Sequence, residues 1–205
     1  MLKVPASVRL FSALILPAVA VALASCGGAA TQTAGVMTPS SEDAARATDG
    51  DARVLLALDG DTLGALRLSD EEWAERLSDE AYYVLREDGT ERAGTSPLLG
   101  EKRAGVFVCA ACELPLFSSE TKYESGTGWP SFYAPLRDDH VVDLRDNTFG
   151  MVRTENRCAR CDGHLGHVFS DGPQPTGLRY CMNGDALAFV AGATQIAGQP
   201  ARREP

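Results

Sequence analysis

Between Arg157 and Asn183 the chain reads R-C-A-R-C-D-G-H-L-G-H-V-F-S-D-G-P-Q-P-T-G-L-R-Y-C-M-N. Cys158 and Cys161, three apart, supply half of a tetrahedral thiolate site. His164 and His167 follow, and imidazoles titrate in the range that suits proton transfer near neutrality. The turn formers Asp171, Gly172, Pro173, Pro175 and Gly177 then let the chain double back and set Cys181 against the histidines. A metal staple, ring nitrogens and a further thiol in one short segment make the composition of an active site.

The chain holds six cysteines, and their spacing sorts them. Cys109-Ala110-Ala111-Cys112 matches Cys158-Ala159-Arg160-Cys161 as a second C-x-x-C pair. One pair alone also fits a redox dithiol. Two pairs, each beside a strand-like run, point to four thiolates around one structural Zn²⁺ per chain. Two disulfides are the alternative, which an oxidising compartment favours. A thiol–disulfide oxidoreductase built on these pairs would instead show a titratable dithiol and no bound metal. Four thiolates fill a tetrahedral ion, so His164 and His167 are not needed as ligands and the metal is not expected to catalyse.

Of the two cysteines that remain, Cys26 follows the N-terminal apolar run and Cys181 stands alone in the folded part. A buried, inert thiol is its bland reading. Arg179, two residues earlier, shares its face of a strand, and a guanidinium there favours thiolate over thiol. Asn183 adds a polar group to that face, while Tyr180 and Met182 turn toward packing. His140, the third histidine, falls in no motif and reads as a surface residue.

The elements that must position these groups are short. Ser69-Asp70-Glu71-Glu72 is a capping box opening a helix with Trp73 and Leu77 on one face. Ser78-Asp79-Glu80 starts a second helix carrying Tyr82 and Leu85, ended by Gly89. Beyond it, runs at Val106–Val108, Val141–Leu144, Met151–Arg153, Arg179–Met182 and Leu187–Val190 alternate with Gly, Pro, Asp and Asn clusters. That texture predicts a mainly β fold with antiparallel sheets and short N-terminal helices. The last stretch, 191–205, is small and polar and is expected to be a disordered tail.

Lys3 and Arg9 precede an apolar run from Leu10 to Ala24, too short and too interrupted by Pro17 for the usual membrane-spanning helix. Residues 1–25 are therefore expected to be an export signal. Leu23-Ala24-Ser25-Cys26 resembles the lipobox of bacterial lipoproteins, which implies cleavage before Cys26 and acylation of it. The alternative is a chance cysteine after a plain secretory signal. Either reading places the mature chain outside the cytoplasm, and with lipid on Cys26 it is expected at the cell envelope, facing the periplasm or exterior. Residues 26–62 are expected to be a flexible tether, with Val54–Leu58 open between an edge strand and a first helical turn. Residues 63–190 are then the catalytic domain. A net charge of −9 offers no basic footprint for nucleic acid.

Four motifs in order carry a family resemblance: Ser125-Gly126-Thr127-Gly128-Trp129-Pro130-Ser131-Phe132, Gly150-Met151-Val152-Arg153-Thr154-Glu155, His164-Leu165-Gly166-His167-Val168-Phe169 and Arg179-Tyr180-Cys181-Met182-Asn183. From about Ser69 to Val190, both C-x-x-C pairs included, the chain resembles the B-type methionine sulfoxide reductases. The resemblance implies two antiparallel sheets, a structural zinc on Cys109, Cys112, Cys158 and Cys161, and reduction of the R epimer of methionine sulfoxide. It makes Cys181 the nucleophile and sets His164 and His167 near the substrate oxygen, without saying which is the acid. Arg179 and Asn183 would orient and tune the thiol. Trp129 would receive the substrate methyl group with Phe169 as a second wall, where simple core packing is the alternative for Trp129.

The chain departs from the family pattern at Thr127, where many members carry a resolving cysteine. The expectation is a one-cysteine cycle on oxidised proteins or peptides, closed by a thioredoxin-like protein or a small thiol. Membrane attachment would come through lipidated Cys26, and the chain is expected to act as a monomer. Gly184 replaces a residue often serine in the family and is expected to be tolerated. A non-catalytic zinc-ribbon binding module is the competing class; it leaves His164, His167 and Arg179-Tyr180-Cys181 unexplained.

Overall fold

The computed structural model describes residues 53–199. Cys26, the export signal and most of the expected tether lie outside the described residues. The chain forms β1 (Leu55–Leu56), β2 (Thr62–Leu63), α1 (Asp70–Arg76), α2 (Asp79–Arg86), β3 (Gly105–Cys109), β4 (Pro115–Ser118), β5 (Lys122–Tyr123), β6 (Ser131–Phe132), β7 (Val141–Asp146), β8 (Arg153–Cys158), β9 (His164–Phe169), β10 (Arg179–Met182) and β11 (Leu187–Ala191). The strands make a six-stranded sheet, order β5-β6-β10-β9-β8-β7, a three-stranded sheet, order β11-β3-β4, and a β1-β2 ribbon. Every pairing is antiparallel. The fold is mainly β with two short helices, as the texture of the sequence predicts.

Both helices start where their caps require. Ser69 Oγ accepts from the Glu72 amide while Glu72 returns a carboxylate to the Ser69 amide, and Ser78 caps α2 through the Ala81 amide. Trp73, Val84 and Leu85 face the core. The helix α2 ends earlier than Gly89: Asp88 takes the left-handed conformation (φ 54°) that turns the chain. A Cβ at Gly89 would lie 2.4 Å from the ring of the exposed Tyr83, which would have to swing aside.

Aromatic rings join the two larger sheets. Phe117 of β4 stacks on Phe132 of β6 with centroids 4.5 Å apart, and Phe107 of β3 meets the same ring edge-on at 4.9 Å. Tyr180 of β10 closes the group against Phe117 at 5.7 Å. These contacts fix how the six-stranded sheet, which carries Cys181, lies on its neighbour.

Four expectations need correction. His140 is fully buried: Nδ1 lies 2.6 Å from the Pro115 carbonyl, and Nε2 accepts from the Leu56 amide at 3.2 Å. A ring with one donor and one acceptor nitrogen can satisfy both backbone groups at once, which no motif advertises. Residues 53–62, counted with the tether, belong to the fold: of the two alternatives left open at Val54–Leu58 the strand is the one found, with Leu55 and Leu56 buried as β1 and paired to β2. Of the expected disordered tail, residues 191–199 pack down: Ile196 is buried and the Ala197 amide bonds to the Leu58 carbonyl. The run at Met151–Arg153 becomes strand only from Arg153, with Met151 and Val152 exposed after a 3-10 turn at Thr148–Gly150.

Candidate functional site

The two C-x-x-C pairs fold into equivalent turns. In each, the residue after the second cysteine adopts positive φ (Glu113 64°, Asp162 61°) and bonds its amide to the carbonyl of the first cysteine. The first cysteine's amide returns to the carbonyl two residues past the second, Leu114 or Gly163. One turn joins β3 to β4 and the other joins β8 to β9, so the four sulfurs meet between the sheets. All four are buried and lie within 4.8 Å of one another. Cys109 and Cys161 sulfurs are 3.7 Å apart and those of Cys112 and Cys158 3.5 Å, neither of which is a disulfide. Thiolates 2.3 Å from a central ion would stand about 3.8 Å from each other. The cluster can therefore hold a tetrahedral metal ion. Hydrogen bonding to Cys112, then to Cys158 and Cys161, together with burial, pushes the Cys109 thiol up, whereas a bound cation would favour four thiolates. Arg76, Arg86 and Arg160 donate to the Ala111, Cys161 and Cys112 carbonyls and hold both turns.

Cys181 sits mid-strand on β10, directly across from His167 of β9 and Ser131 of β6, with Arg179 across from Phe169. Residues paired this way project from one face, which gathers Cys181, His167, Phe169 and Arg179. A cavity of about 140 Å³ opens over them, lined by Thr90, Trp129, Arg153, Gly166, His167, Phe169, Cys181 and Asn183. Gly166 is a steric requirement, since a Cβ there would come within 2.2 Å of the Cys181 carbonyl oxygen. His164, three residues from His167, would fall on the opposite face of a regular strand. A one-residue irregularity between β8 and β9 at Asn156/Arg157 brings it back. It is 2 % exposed and does not line the cavity; its Nδ1 lies 2.6 Å from Glu155 Oε1.

The charged groups are compensated in pairs. Asp146 accepts from Thr148 through both its hydroxyl and its amide, from Arg153, and from His167 Nε2 at 3.0 Å. Those bonds, the Thr148 hydroxyl first, hold its carboxyl far below the usual range. An ionised carboxylate only accepts, so Nε2 carries the proton and Nδ1 is the nitrogen left to exchange one. Burial pulls the His167 imidazole below its ordinary value, against the opposing effect of Asp146. Glu155 is pushed up by burial, but His164 and Arg157 outweigh this and keep it below the ordinary range. Arg179 meets Asp171 with Nε at 2.8 Å and Nη2 at 2.9 Å, and its guanidinium lies 4.2 Å from the Phe169 ring centre. Its pKa is raised, chiefly by Asp171 and in part by Cys181.

The SelR domain family model matches residues 77–191, more than half of the chain. The chain belongs to the SelR domain family. Proteins named peptide methionine sulfoxide reductase MsrB are among its relatives. The one from Caulobacter vibrioides (strain NA1000 / CB15N) is 62% identical over 118 residues, 57% of this chain and 74% of that protein. Those from Agrobacterium fabrum (55% over 121 residues, 59% of this chain, 90% of that protein) and Leptospira interrogans (56% over 121 residues, 59% and 92%) match over nearly their whole length.

Within this SelR domain the expected residues divide. Cys181, His167, Trp129, Phe169 and Asn183 converge on one cavity, whereas His164 and Arg179 stand behind or beside it. Asn183 is 3 % exposed, with its amide group spent on the Glu91 amide and the Leu165 carbonyl, so it fixes the wall rather than offering a free group. Glu91 was illegible in the sequence. Its buried carboxylate accepts from the Gly184 and Asp185 amides and its carbonyl from Trp129 Nε1, tying the indole to the end of β10. Burial, the largest influence on it, raises the Glu91 pKa. Arg153, Asp146 and Asp171 were likewise missed; only the Gly150–Glu155 motif pointed toward the first. Asp88, Glu155 and His164 form a second close group, but Arg157 ion-pairs with both acids and neutralises it.

Proposed function

We propose that this chain reduces methionine-R-sulfoxide in oxidised proteins to methionine, with Cys181 as the oxygen acceptor and an external thiol as reductant, at the cell envelope. The observation that carries the reading is one small cavity in a SelR domain where a half-buried sulfur, an imidazole and two aromatic walls converge. With relatives of this name at 55–62% identity, the chain is a peptide-methionine (R)-S-oxide reductase.

The substrate's methyl group packs on the Trp129 indole, held by its bond to the Glu91 carbonyl, with Phe169 opposite. His167, steadied by Asp146, protonates the sulfoxide oxygen through Nδ1 and makes the substrate sulfur electrophilic. The Cys181 sulfur accepts the oxygen and supplies two electrons, giving methionine and Cys181–S–OH. His164 acts indirectly, held by Glu155 behind the cavity. An external thiol then displaces the hydroxyl as water, and a second thiol frees Cys181 from the mixed disulfide. Thr127 Oγ1 lies 3.8 Å from Cys181 Sγ, so the position where many family members resolve internally holds a hydroxyl here. That placement and the burial of the other four described cysteines support a one-cysteine cycle.

The metal is assigned as one structural zinc on Cys109, Cys112, Cys158 and Cys161, bonding the two sheets and taking no part in the reaction. Among the described residues no helix is long and apolar enough to cross a membrane; anchorage is assigned to lipid on Cys26, and the unit is assigned as a monomer.

Separate R- and S-sulfoxide peptides, assayed with a thioredoxin system and with a small thiol, test the reading. Turnover of the R peptide alone is expected. Equal turnover of both epimers overturns it, and a Cys26–Cys181 disulfide in the mass spectrum of substrate-treated protein overturns the one-cysteine cycle.

A further inference from the structure

Beside the Cys181 sulfur runs a file of hydroxyls that neither oxygen transfer nor metal binding uses. Thr127 Oγ1 is 3.8 Å from Cys181 Sγ and 2.8 Å from Ser125 Oγ. Ser125 Oγ is 2.7 Å from Ser131 Oγ, and the Ser131 hydroxyl donates to the Trp129 carbonyl at 3.1 Å. Ser131 is fully buried on β6, directly across from Cys181. Each hydroxyl has one proton to give and a carbonyl only accepts. With the Ser131 proton on Trp129, Ser125 gives its own to Ser131 and Thr127 gives its own to Ser125. Thr127 Oγ1 therefore turns a lone pair toward Cys181, and whatever stands there must be the donor.

We propose that the file Thr127–Ser125–Ser131 is a holding site for the sulfenic acid of Cys181, whose S–OH donates to Thr127 Oγ1 until an external thiol arrives. The proposal rests on the reductase reading above and deepens it. In a one-cysteine cycle the sulfenic acid has to wait for a bimolecular encounter. Its hazard meanwhile is peroxide: the ionised form, Cys–S–O⁻, takes a second oxygen from H₂O₂ to give Cys–SO₂⁻ and water, an irreversible loss. An acceptor that keeps the proton on the oxygen depletes that ionised form. The 3.8 Å gap is wide for a direct bond to sulfur, and an oxygen added to Sγ on that side can approach Thr127 to an ordinary O–H···O distance of about 2.7 Å. Asp171 already compensates the Arg179 charge that would otherwise favour the anion. Thr127 touches the reacting atom; Ser125 and Ser131 act through it as positioning residues.

The test uses the full reduced, metal-loaded chain, given one equivalent of R-sulfoxide peptide without thiol and then challenged with hydrogen peroxide. Surviving sulfenic acid is trapped with dimedone and counted by mass, and methionine yield is read in the same sample. Thr127→Val keeps the shape and removes the acceptor, and is expected to shorten the sulfenic acid lifetime about fivefold, the worth of one neutral hydrogen bond. Thr127→Ser, which restores the hydroxyl, should return it to within about twofold of the parent. Ser125→Ala, which does not touch the sulfur, should shorten it in the same direction. Equal lifetimes in the parent and Thr127→Val, or a Thr127→Ser as short-lived as Thr127→Val, overturn the proposal. Absence of methionine from the parent chain overturns the underlying reductase reading instead, so the two failures are distinct.

Discussion

Around Cys181 the sequence revealed neighbours that share its strand and concealed those that reach it across the fold. Arg179 and Asn183 were legible because strand periodicity is local. Asp171 was not, because only the folded loop turns its carboxylate onto the guanidinium, and Glu91 meets Gly184 across 93 residues of chain. Arg179 depends on a planar fork, two bonds to Asp171 and stacking on Phe169. Arg179→Lys keeps the charge and loses the fork and the stack. It should lower kcat/KM about tenfold while leaving the melting temperature nearly unchanged, since the pair is open to solvent on the Asp171 side. His167 makes a pH prediction. Burial sets its pKa below the ordinary 6.5, and the donor form is lost as pH rises through that lowered value. The alkaline limb of single-turnover kcat/KM should therefore lie below 6.5, under the usual histidine position. Asp146 raises this pKa, so Asp146→Asn should move the limb further toward acid; a shift toward alkali would contradict the assignment of His167 as proton donor.

At the scale of elements, the capping box of α1, the Ser78 cap of α2 and four of the five expected strand runs were readable because propensity and periodicity act within a few residues. The irregularity in β9 that brings His164 toward Glu155 was not, since it depends on pairing with β8. His140 read as a surface residue because the two backbone groups it satisfies, at Leu56 and Pro115, come from distant parts of the chain. Two glycines set tests. Gly166→Ala would push β9 away from β10 at the Cys181 carbonyl, with a cost of about 3 kcal/mol and loss of turnover, measurable by denaturant unfolding and R-peptide assay. At Gly184, a Cβ would stand 1.9 Å from Ser96 Oγ. A serine at this position would need the space that Ser96 fills. Gly184→Ser should destabilise by about 2 kcal/mol, and adding Ser96→Gly should recover most of that, a coupling that a double-mutant cycle reads directly.

Among the described residues the two larger sheets are joined by a ring-stacked core and a four-sulfur cluster. One thiolate pair comes from the β3–β4 turn and the other from the β8–β9 turn, so a metal there cross-links the sheets. The doubled spacing announced this in the sequence; which sheets it would join did not follow until the strand order was known. If the cluster holds the proposed zinc, stripping it with a chelator and a thiol-blocking reagent should destabilise the domain by on the order of 5 kcal/mol, with turnover lost in step with unfolding rather than ahead of it. Activity surviving in a folded, metal-free chain would leave the structural assignment intact, whereas activity lost while the fold persists would argue for a metal in the reaction. The cavity, the imidazole and the hydroxyl file all converge on one atom, the Cys181 sulfur. The direct test is methionine released in a single turnover without any reductant. One methionine per chain from the R peptide, and none from Cys181→Ser at equal folding, is the predicted result; release by Cys181→Ser would contradict it.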